Sequence, residues 1–420
     1  MSEVSIATTT VQKKERLRQI AIYNQRGMKA YQERIRDWWA RAFNTSILER
    51  KRLEWVDYLR GIAILLIVYR HVLIGIQRGN IAVPQILVDA NMIFYSFRMP
   101  LFFILSGIFI SKSMAKKSTT ELIGIKFEKL FYPYLIWATI QITLQIALSG
   151  VTNSNRTFND YTYIFYQPRT LDQFWYLPAL FNTTVLYIVL KAKFRINTGF
   201  QLILGLALYF ISPYFQSVSM VSDWMAFYFF FALGDAISEV FFKARSQSFF
   251  KSPVSLLLII PIFILAQRYY LQHNLGNLAI TNNAHMSRPD YLHHIRDQVD
   301  FLFIALIGCL SMFILAFRLQ SWNILSFLRI LGYHSLYIYV MHVIITAFTR
   351  LSLIVFFGIT NPVLLLCLSI LFGVTLPIMF YNLLIRNNIF WFLFSYHKKR
   401  TRAVAPATAV SLDAPVASGV

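Results

Sequence analysis

Charged residues are scarce in this chain: they make up 14% of its 420 residues, whereas hydrophobic residues make up 57%. A soluble domain has about 25% charged residues, so the composition excludes an ordinary soluble protein and favours a membrane protein. Only two cysteines are present, Cys309 and Cys367, and both stand in apolar runs. A disulfide framework or a cysteine-based metal site is therefore not expected, and both thiols are predicted to pack as small hydrophobic side chains.

Apolar runs long enough to cross a bilayer, which takes about 20 residues, recur along the chain. Ten are predicted, at 56–76, 91–111, 130–149, 174–190, 199–215, 223–242, 254–271, 299–317, 333–357 and 362–385. No cleavable signal peptide is expected, because a polar, basic segment precedes the first run. The predicted fold class is an all-α polytopic integral membrane protein with about ten transmembrane helices.

Acidic residues are also scarce, with 19 Asp and Glu against 40 Lys and Arg, and the net charge is +21. Of the predicted loops, 112–129, 191–198, 243–252 and 318–329 hold 13 Lys and Arg, whereas the five loops on the other side hold six. The positive-inside rule places the first set, and with it both termini, in the cytoplasm. The excess charge is interpreted as a topology signal and as attraction to anionic lipid, so nucleic acid is not an expected partner.

Three regions are predicted along the chain. Residues 1–55 form a basic cytosolic juxtamembrane tail, 56–385 a ten-helix membrane domain, and 386–420 a basic and then disordered cytosolic tail. In the first region, Trp38, Trp39 and Phe43 stand among arginines, which is typical of an interfacial helix on the inner leaflet. A partner-binding helix is the alternative for this segment.

The first predicted membrane helix carries ionisable side chains, which are costly in a bilayer and therefore candidates for a functional site. Arg60 and His71 are eleven residues apart. At about 100° and roughly 1.5 Å per residue, they lie within about 20° of one face and about 16 Å apart. Asp57 lies one turn before Arg60 on that face, close enough to pair with it.

Basic residues of the next two predicted helices can join this face. Lys126 and Lys129 approach its cytosolic end, where they either bind a donor phosphate or extend to the inner headgroups. Arg70 and Arg98 lie in the outward half of their helices. Arg70 either binds an anionic acceptor or extends to the outer surface.

The remaining candidates for substrate binding are polar or aromatic residues inside predicted spans: Ser106, Trp175, Tyr176 and His342. Trp175 and Tyr176 can instead belong to the aromatic belt at the outer interface, and His342 can be a core histidine. A further group could suggest zinc, but its spacing is irregular, and no metal site is predicted. It consists of His285, Asp290, His293 and His294.

Five segments within 50–385 carry a family resemblance through their order and spacing. They are RGIAILLIVYRH (60–71), FRMPLFFILSG (97–107), KLFYPY (129–134), FWYLPALF (174–181) and LGYHSLYIYVMH (331–342). Together they resemble the membrane-bound acyltransferase family 3, and within it the branch of fucose 4-O-acetylase-like proteins. Many relatives in this branch have Gly-His where this chain has Arg70-His71, and some have His in place of Arg98.

The resemblance implies an integral-membrane O-acyltransferase of the cell inner (plasma) membrane. It would move an acyl group, usually acetyl from acetyl-CoA, to a hydroxyl of a cell-envelope or exported carbohydrate or glycolipid. Arg60 and His71 would be the essential pair. Arg60, with Lys126 or Lys129, would bind the CoA phosphates, and His71 would act as general base. An acyl-histidine route is equally open.

The other catalytic parts follow from the same resemblance. Asp57 would orient Arg60, and either Arg98 or Ser106 would stabilise the tetrahedral oxyanion. No permanently bound cofactor is expected, and the partners are acyl-CoA, the acceptor and membrane lipid. Two other functions remain open. A multi-spanning transporter or flippase of a lipid-linked glycan would not depend on acyl-CoA, and a scaffold would tolerate His71→Ala.

Overall fold

The computed structural model describes residues 28–50, 52–149, 156–273 and 295–397, and the regular elements within them are helices. A first helix, α1, covers 28–43. It is followed in the described residues by α2 Glu54–Arg78, α3 Gln85–Ile108, α4 Ile110–Met114, α5 Thr119–Lys126, α6 Tyr132–Ala147, α7 Tyr163–Tyr166, α8 Tyr176–Ala192, α9 Thr198–Ile211, α10 Ser219–Ala236, α11 Ser238–Phe242, α12 Ala244–Lys251, α13 Pro253–Gln272, α14 Ile295–Trp322, α15 Phe327–Tyr333, α16 Ser335–Val355 and α17 Pro362–Leu383.

Eight segments of the described chain are long and apolar enough to cross a membrane. They are Glu54–Arg78, Gln85–Met114, Thr119–Ala147, Thr198–Phe215, Pro253–Gln272, Ile295–Trp322, Ser335–Val355 and Pro362–Asn387. The other two predicted spans also fold as helices: α8 is apolar but shorter, and α10 contains Asp223 and Asp235. The predicted class, an all-α polytopic membrane protein, is confirmed.

Helix α2 occupies the centre of the bundle, where it packs against α3, α14, α15, α16 and α17. The contact with α15 is a close approach of two backbones. Gly61 faces the carbonyl of Leu328, and Gly332 faces the carbonyl of Asp57, so that a Cβ at either glycine would overlap a backbone oxygen. This approach fixes the segment before α16 against the first turns of α2.

The third span is one long helical segment with an interruption. A turn of π-helix, Phe127–Phe131, joins α5 to α6, and the whole segment runs from Thr119 to Ala147. The sequence predicted this span at 130–149. Lys126 and Lys129 therefore lie within the helical segment and not in a loop before it, and π turns are frequent at functional sites.

Helix α8 begins inside the bundle. Gln173, Phe174 and Tyr176 are buried, and the Tyr339 hydroxyl of α16 donates a hydrogen bond to the Gln173 carbonyl. The sequence placed Trp175 and Tyr176 at the outer interface, where an aromatic belt was the alternative interpretation. For Tyr176 this placement is wrong, because the preceding loop folds inward and carries the start of the helix with it.

The described end of the N-terminal tail contacts the opposite end of the chain. Asn382 Nδ2 donates to the Ala42 carbonyl at 2.9 Å, and Arg386 donates to Asn44 Oδ1 at 3.0 Å. Trp38 and Trp39 of α1 are exposed. The interfacial position of α1 stays a prediction, and residues 1–27 and 398–420 lie outside the described residues.

Candidate functional site

The site is built on one face of α2. Because the helix runs unbroken from Glu54 to Arg78, Arg60 and His71 lie on the same face, about 16 Å apart along the axis. Both side chains are half-buried, so each is partly accessible. Arg60 and His71 thus lie at separate depths on one face of α2, as the spacing predicted.

Asp57 has a different partner from the one predicted. Its buried carboxylate accepts two hydrogen bonds from Arg52, at 2.9 Å from Nε and 3.0 Å from Nη2. This hydrogen bond raises the pKa of Arg52, which lies before the span. Asp57 acts on Arg60 only by electrostatic attraction at longer range, without a hydrogen bond. The predicted ion pair between Asp57 and Arg60 is wrong, because Arg52 can reach both carboxylate oxygens at once.

Three cations meet at the end of the site that bears Arg60. Lys126 lies within electrostatic range of both Arg60 and Lys129, and none of the three forms an ion pair with an acidic residue of the described chain. The Tyr176 hydroxyl lies beside Arg60 and Ser106. A cluster of uncompensated cations with a neutral hydroxyl nearby can bind an anion such as phosphate.

Two histidines meet at the other end. The ring centroids of His71 and His342 are 5.1 Å apart, with an angle of 62° between the rings. His342 is fully buried, and its Nδ1 lies 2.8 Å from the Tyr339 carbonyl and 3.0 Å from the Ile338 carbonyl. Only a donor can bond a carbonyl, so Nδ1 carries the hydrogen. The remaining Nε2 holds a lone pair and is buried without a hydrogen-bond partner.

Arg70 and Arg98 lie near this histidine pair. Both are buried, at 8% and 2% exposed, and their charges act on His71. Both guanidinium groups face the ring of Tyr95, with Cζ 5.6 Å and 5.8 Å from its centroid. Arg70 was predicted either to bind an acceptor or to extend to the outer surface, and its burial contradicts the second alternative.

A cavity of about 50 Å³ adjoins this region, and helices α3, α10 and α14 contribute to its wall. The wall includes the aromatic rings of Tyr95, Trp175 and Phe227. Arg169 also lines it, with Cζ 4.2 Å from the Trp175 ring centroid, and forms an ion pair with Asp223. The cavity is far smaller than a typical small-molecule site, so its volume alone does not indicate a ligand.

The other two predicted substrate-binding residues are Ser106 and Trp175. Ser106 donates to the Phe102 carbonyl of its own helix at 2.8 Å. Trp175 is half-buried and lines the cavity. Among the described residues, no group of three or more His, Cys, Asp or Glu side chains could hold a metal. The considered group at 285–294 lies outside the described residues.

The sequence analysis missed several residues of the site. Asn91 is completely buried beside Arg98, and Asp172 forms an ion pair of 3.1 Å with Arg78. Asp172 also has a positive φ of 56°, and such strain in a non-glycine residue is concentrated at functional sites. The rule that singled out Arg60, a polar residue inside or beside an apolar run, would also have indicated Asn91 and Asp223.

Fold and site together define a multi-pass membrane protein with an internal polar site that reaches from a basic cluster to a histidine pair. The sequence model of a family described as an acyltransferase domain matches residues 53–382. The chain therefore belongs to the acyltransferase 3 family, and the predicted family is confirmed. It is a membrane acyltransferase by family.

The chain is also similar to a curated protein named Nodulation protein NolL, from Mesorhizobium japonicum (strain LMG 29417 / CECT 9101 / MAFF 303099). The two are 30% identical over 142 residues, which are 34% of this chain and 36% of the relative. The match thus spans little more than a third of the relative's length. No solved structure matches the chain significantly.

Proposed function

We propose that this protein transfers an acyl group, acetyl in the first instance, from cytosolic acyl-CoA to a hydroxyl of a cell-envelope or exported carbohydrate, in the plasma membrane. Family membership supports acyl transfer. The observation that carries the rest is the separation along α2 of a cation cluster at Arg60 from the histidine pair at His71 and His342. The two chemical tasks of such a reaction, holding an anionic donor and removing a hydroxyl proton, need these two kinds of group.

Arg60, Lys126 and Lys129 would bind the phosphates of the donor. An arginine offers a planar fork of donors that matches phosphate oxygens, and the two lysines add charge. Asp57 acts on Arg60 through space, while its bond to Arg52 keeps that carboxylate from competing for the donor site. The extended arm of CoA would then follow α2 toward His71, over the approximately 16 Å that separate the two side chains.

His71 would be the general base. The acceptor oxygen attacks the thioester carbonyl carbon as an imidazole nitrogen of His71 takes the hydroxyl proton. The tetrahedral intermediate then expels the CoA thiolate, which takes up the proton, and the acyl ester remains on the acceptor. His71 suits this role better than His342, because it is half-buried whereas His342 is 0% exposed.

His342 would be a positioning residue for His71. Its Nδ1–H bonds to the Tyr339 carbonyl fix the ring and its tautomer, as the outer partner of a catalytic imidazole commonly does. Of the two expected oxyanion donors, Ser106 already donates its hydrogen to Phe102. The positive charge of Arg98 is therefore the better candidate to stabilise the oxyanion.

The direct test is CoA release from acetyl-CoA by the purified protein in detergent, for wild type, His71→Ala and Arg60→Ala. We expect wild type to release CoA slowly to water and faster with a mixed glycan pool. His71→Ala should lower kcat about 100- to 10,000-fold, the usual contribution of a general base, and still bind CoA. Arg60→Ala should mainly raise KM for acetyl-CoA.

A monodisperse wild-type protein that neither binds CoA nor releases it would contradict the donor assignment. Transport of an undecorated glycan would then be the function to examine. Equal loss of CoA binding in both variants would instead contradict the division of roles between Arg60 and His71.

A further inference from the structure

Arg98 is a cation buried in the bundle without a counter-ion among the described residues. Its side chain is 2% exposed, and its two hydrogen bonds are long, at 3.4 Å from Nη1 to the Leu66 carbonyl and to Asn91 Oδ1. It forms no ion pair within the described residues. A guanidinium has five N–H donors, so most of them have no acceptor. A buried charge is costly unless it is paired.

Asn91 supplies a second unused donor at the same place. It is 0% exposed, and its Oδ1 accepts the hydrogen bond from Arg98. This bond fixes the orientation of the amide, because the reverse orientation would set an NH₂ group against the guanidinium. Nδ2 is then buried and has no hydrogen-bond partner. This region therefore has more hydrogen-bond donors than acceptors.

Two cations share the ring of Tyr95. Arg70 and Arg98 face this one ring, with Cζ 5.6 Å and 5.8 Å from its centroid. The negative face of an aromatic ring attracts a cation too weakly to replace a counter-ion.

The nearby acidic residues are engaged with other arginines. Asp172 pairs with Arg78 at 3.1 Å, and Asp223 pairs with Arg169. Neither carboxylate forms an ion pair with Arg98.

We propose that Arg98 and Asn91 bind an anionic group of the substrate, a carboxylate or a phosphate, beside His71. The proposal rests on the proposed acyltransferase function and adds the chemical class of the substrate. The anion has two sources. It is an acidic group of the acceptor glycan, or the distal carboxylate of a dicarboxylic acyl group such as succinyl.

A rival explanation gives Arg98 no task other than the oxyanion of a neutral acyl transfer. An oxyanion exists only during the reaction, so it leaves the buried cation uncompensated in the resting protein. The rival explanation also gives no role to the unused Nδ2 of Asn91. The two explanations differ in whether the resting protein binds an anion here.

The test is a thermal-unfolding titration of the purified full chain with inorganic phosphate, at constant ionic strength maintained with chloride. Wild type is compared with Arg98→Met, which removes the charge at similar volume, and with Arg98→Lys, which keeps it. We expect saturable stabilisation of wild type and a 10- to 100-fold weaker phosphate affinity in Arg98→Met, about the effect of losing charge-assisted hydrogen bonds. Arg98→Lys should lie between them.

Arg60→Ala is the matched control, because it removes a cation at the other end of the site and should leave the Arg98-dependent stabilisation in place. If Arg98→Met is not monodisperse, Asn91→Leu provides the same test through the other donor. Phosphate stabilisation that is absent, or equal in wild type and in the variant tested, overturns the proposal and favours the oxyanion role alone.

CoA release from succinyl-CoA and acetyl-CoA then identifies the source of the anion. A wild-type preference for succinyl-CoA that Arg98→Met reduces assigns the anion to the acyl group. Arg98-dependent phosphate binding without a donor preference assigns it to the acceptor. Failure of both donors to react contradicts the proposed function but leaves the phosphate result intact, so the two failures are distinguishable.

Discussion

Two buried histidines eight residues apart, His334 and His342, have contrasting surroundings. Both ring nitrogens of His334 are engaged, by the Ile330 carbonyl at 2.8 Å and by the side chain of Asn382. His342 uses only Nδ1 and leaves Nε2 free. A buried polar atom without a partner requires an explanation, and the nearby ring of His71 provides one. We therefore infer that His334 is structural, and we propose that His342 belongs to the site.

This contrast predicts different results for the two histidines. His342→Gln should lower kcat about 10- to 100-fold with KM for acetyl-CoA unchanged, because it disturbs the orientation of His71 and not the donor site. His334→Gln should lower the melting temperature and leave kcat per folded molecule unchanged. The measurements are CoA release and thermal unfolding of both variants. A loss of stability without a kcat effect in His342→Gln would make His342 a core histidine.

At the scale of elements, the contact between α2 and α15 holds the donor end of the site together. Gly332 lies against the backbone of Asp57, and Arg52 reaches both Asp57 and the ring of Tyr333, whose centroid is 4.9 Å from Cζ. Helix α15 therefore positions the first turns of α2, which lead to Arg60. Sequence periodicity indicates which residues are apolar, but it does not reveal such an approach between distant segments.

Gly332→Ala should destabilise the protein by about 1–3 kcal/mol, the usual cost of overpacking, because the new Cβ overlaps the Asp57 carbonyl. Gly124→Ala is the control, since nothing lies within 4 Å of its Cβ position. Because alanine favours a helix over glycine, Gly124→Ala should be neutral or slightly stabilising. Thermal unfolding in detergent measures both. Similar melting temperatures for the two variants would show that α15 moves away without cost.

The sequence predicted the elements better than their ends. All ten apolar runs are helices, because apolar runs of this length must satisfy their own backbone hydrogen bonds in a bilayer. The start of the third span was placed at 130, whereas the helix begins at Thr119 and passes through a π turn. The inward start of α8 was also missed, since it depends on the hydrogen bond between Tyr339 and Gln173.

At the scale of the whole molecule, the orientation in the membrane remains a prediction from the charge of the loops. Lys116→Cys lies in a predicted cytoplasmic loop and Asn159→Cys in a predicted outer loop, and both positions are exposed. With Cys309 and Cys367 replaced by alanine, an impermeant maleimide should label Asn159→Cys in intact cells. It should label Lys116→Cys only after permeabilisation. The reverse pattern would place the cation cluster outside and contradict binding of cytosolic CoA.

Helices at the surface of the bundle, such as α13, expose apolar side chains. Helix α13 exposes large side chains such as Leu257 and Leu265, at 74% and 67%, and only 22% of its apolar window is buried. Such a helix faces lipid, whereas α2 and α3 lie inside. The buried arginines and histidines are thus held away from lipid by helices that carry few polar residues.

The sequence by itself determined the membrane class, the helices and the shared face of Arg60 and His71, because these follow from local composition and helical period. The resemblance of five motif segments indicated the family. Only the tertiary structure decided that Asp57 bonds Arg52, that His342 meets His71 and that Arg98 has no counter-ion in the part of the chain that the structure describes. These contacts join residues whose positions depend on how helices pack and how a loop folds inward. Hydrophobic periodicity specifies which face is buried, but not which distant side chain lies opposite it.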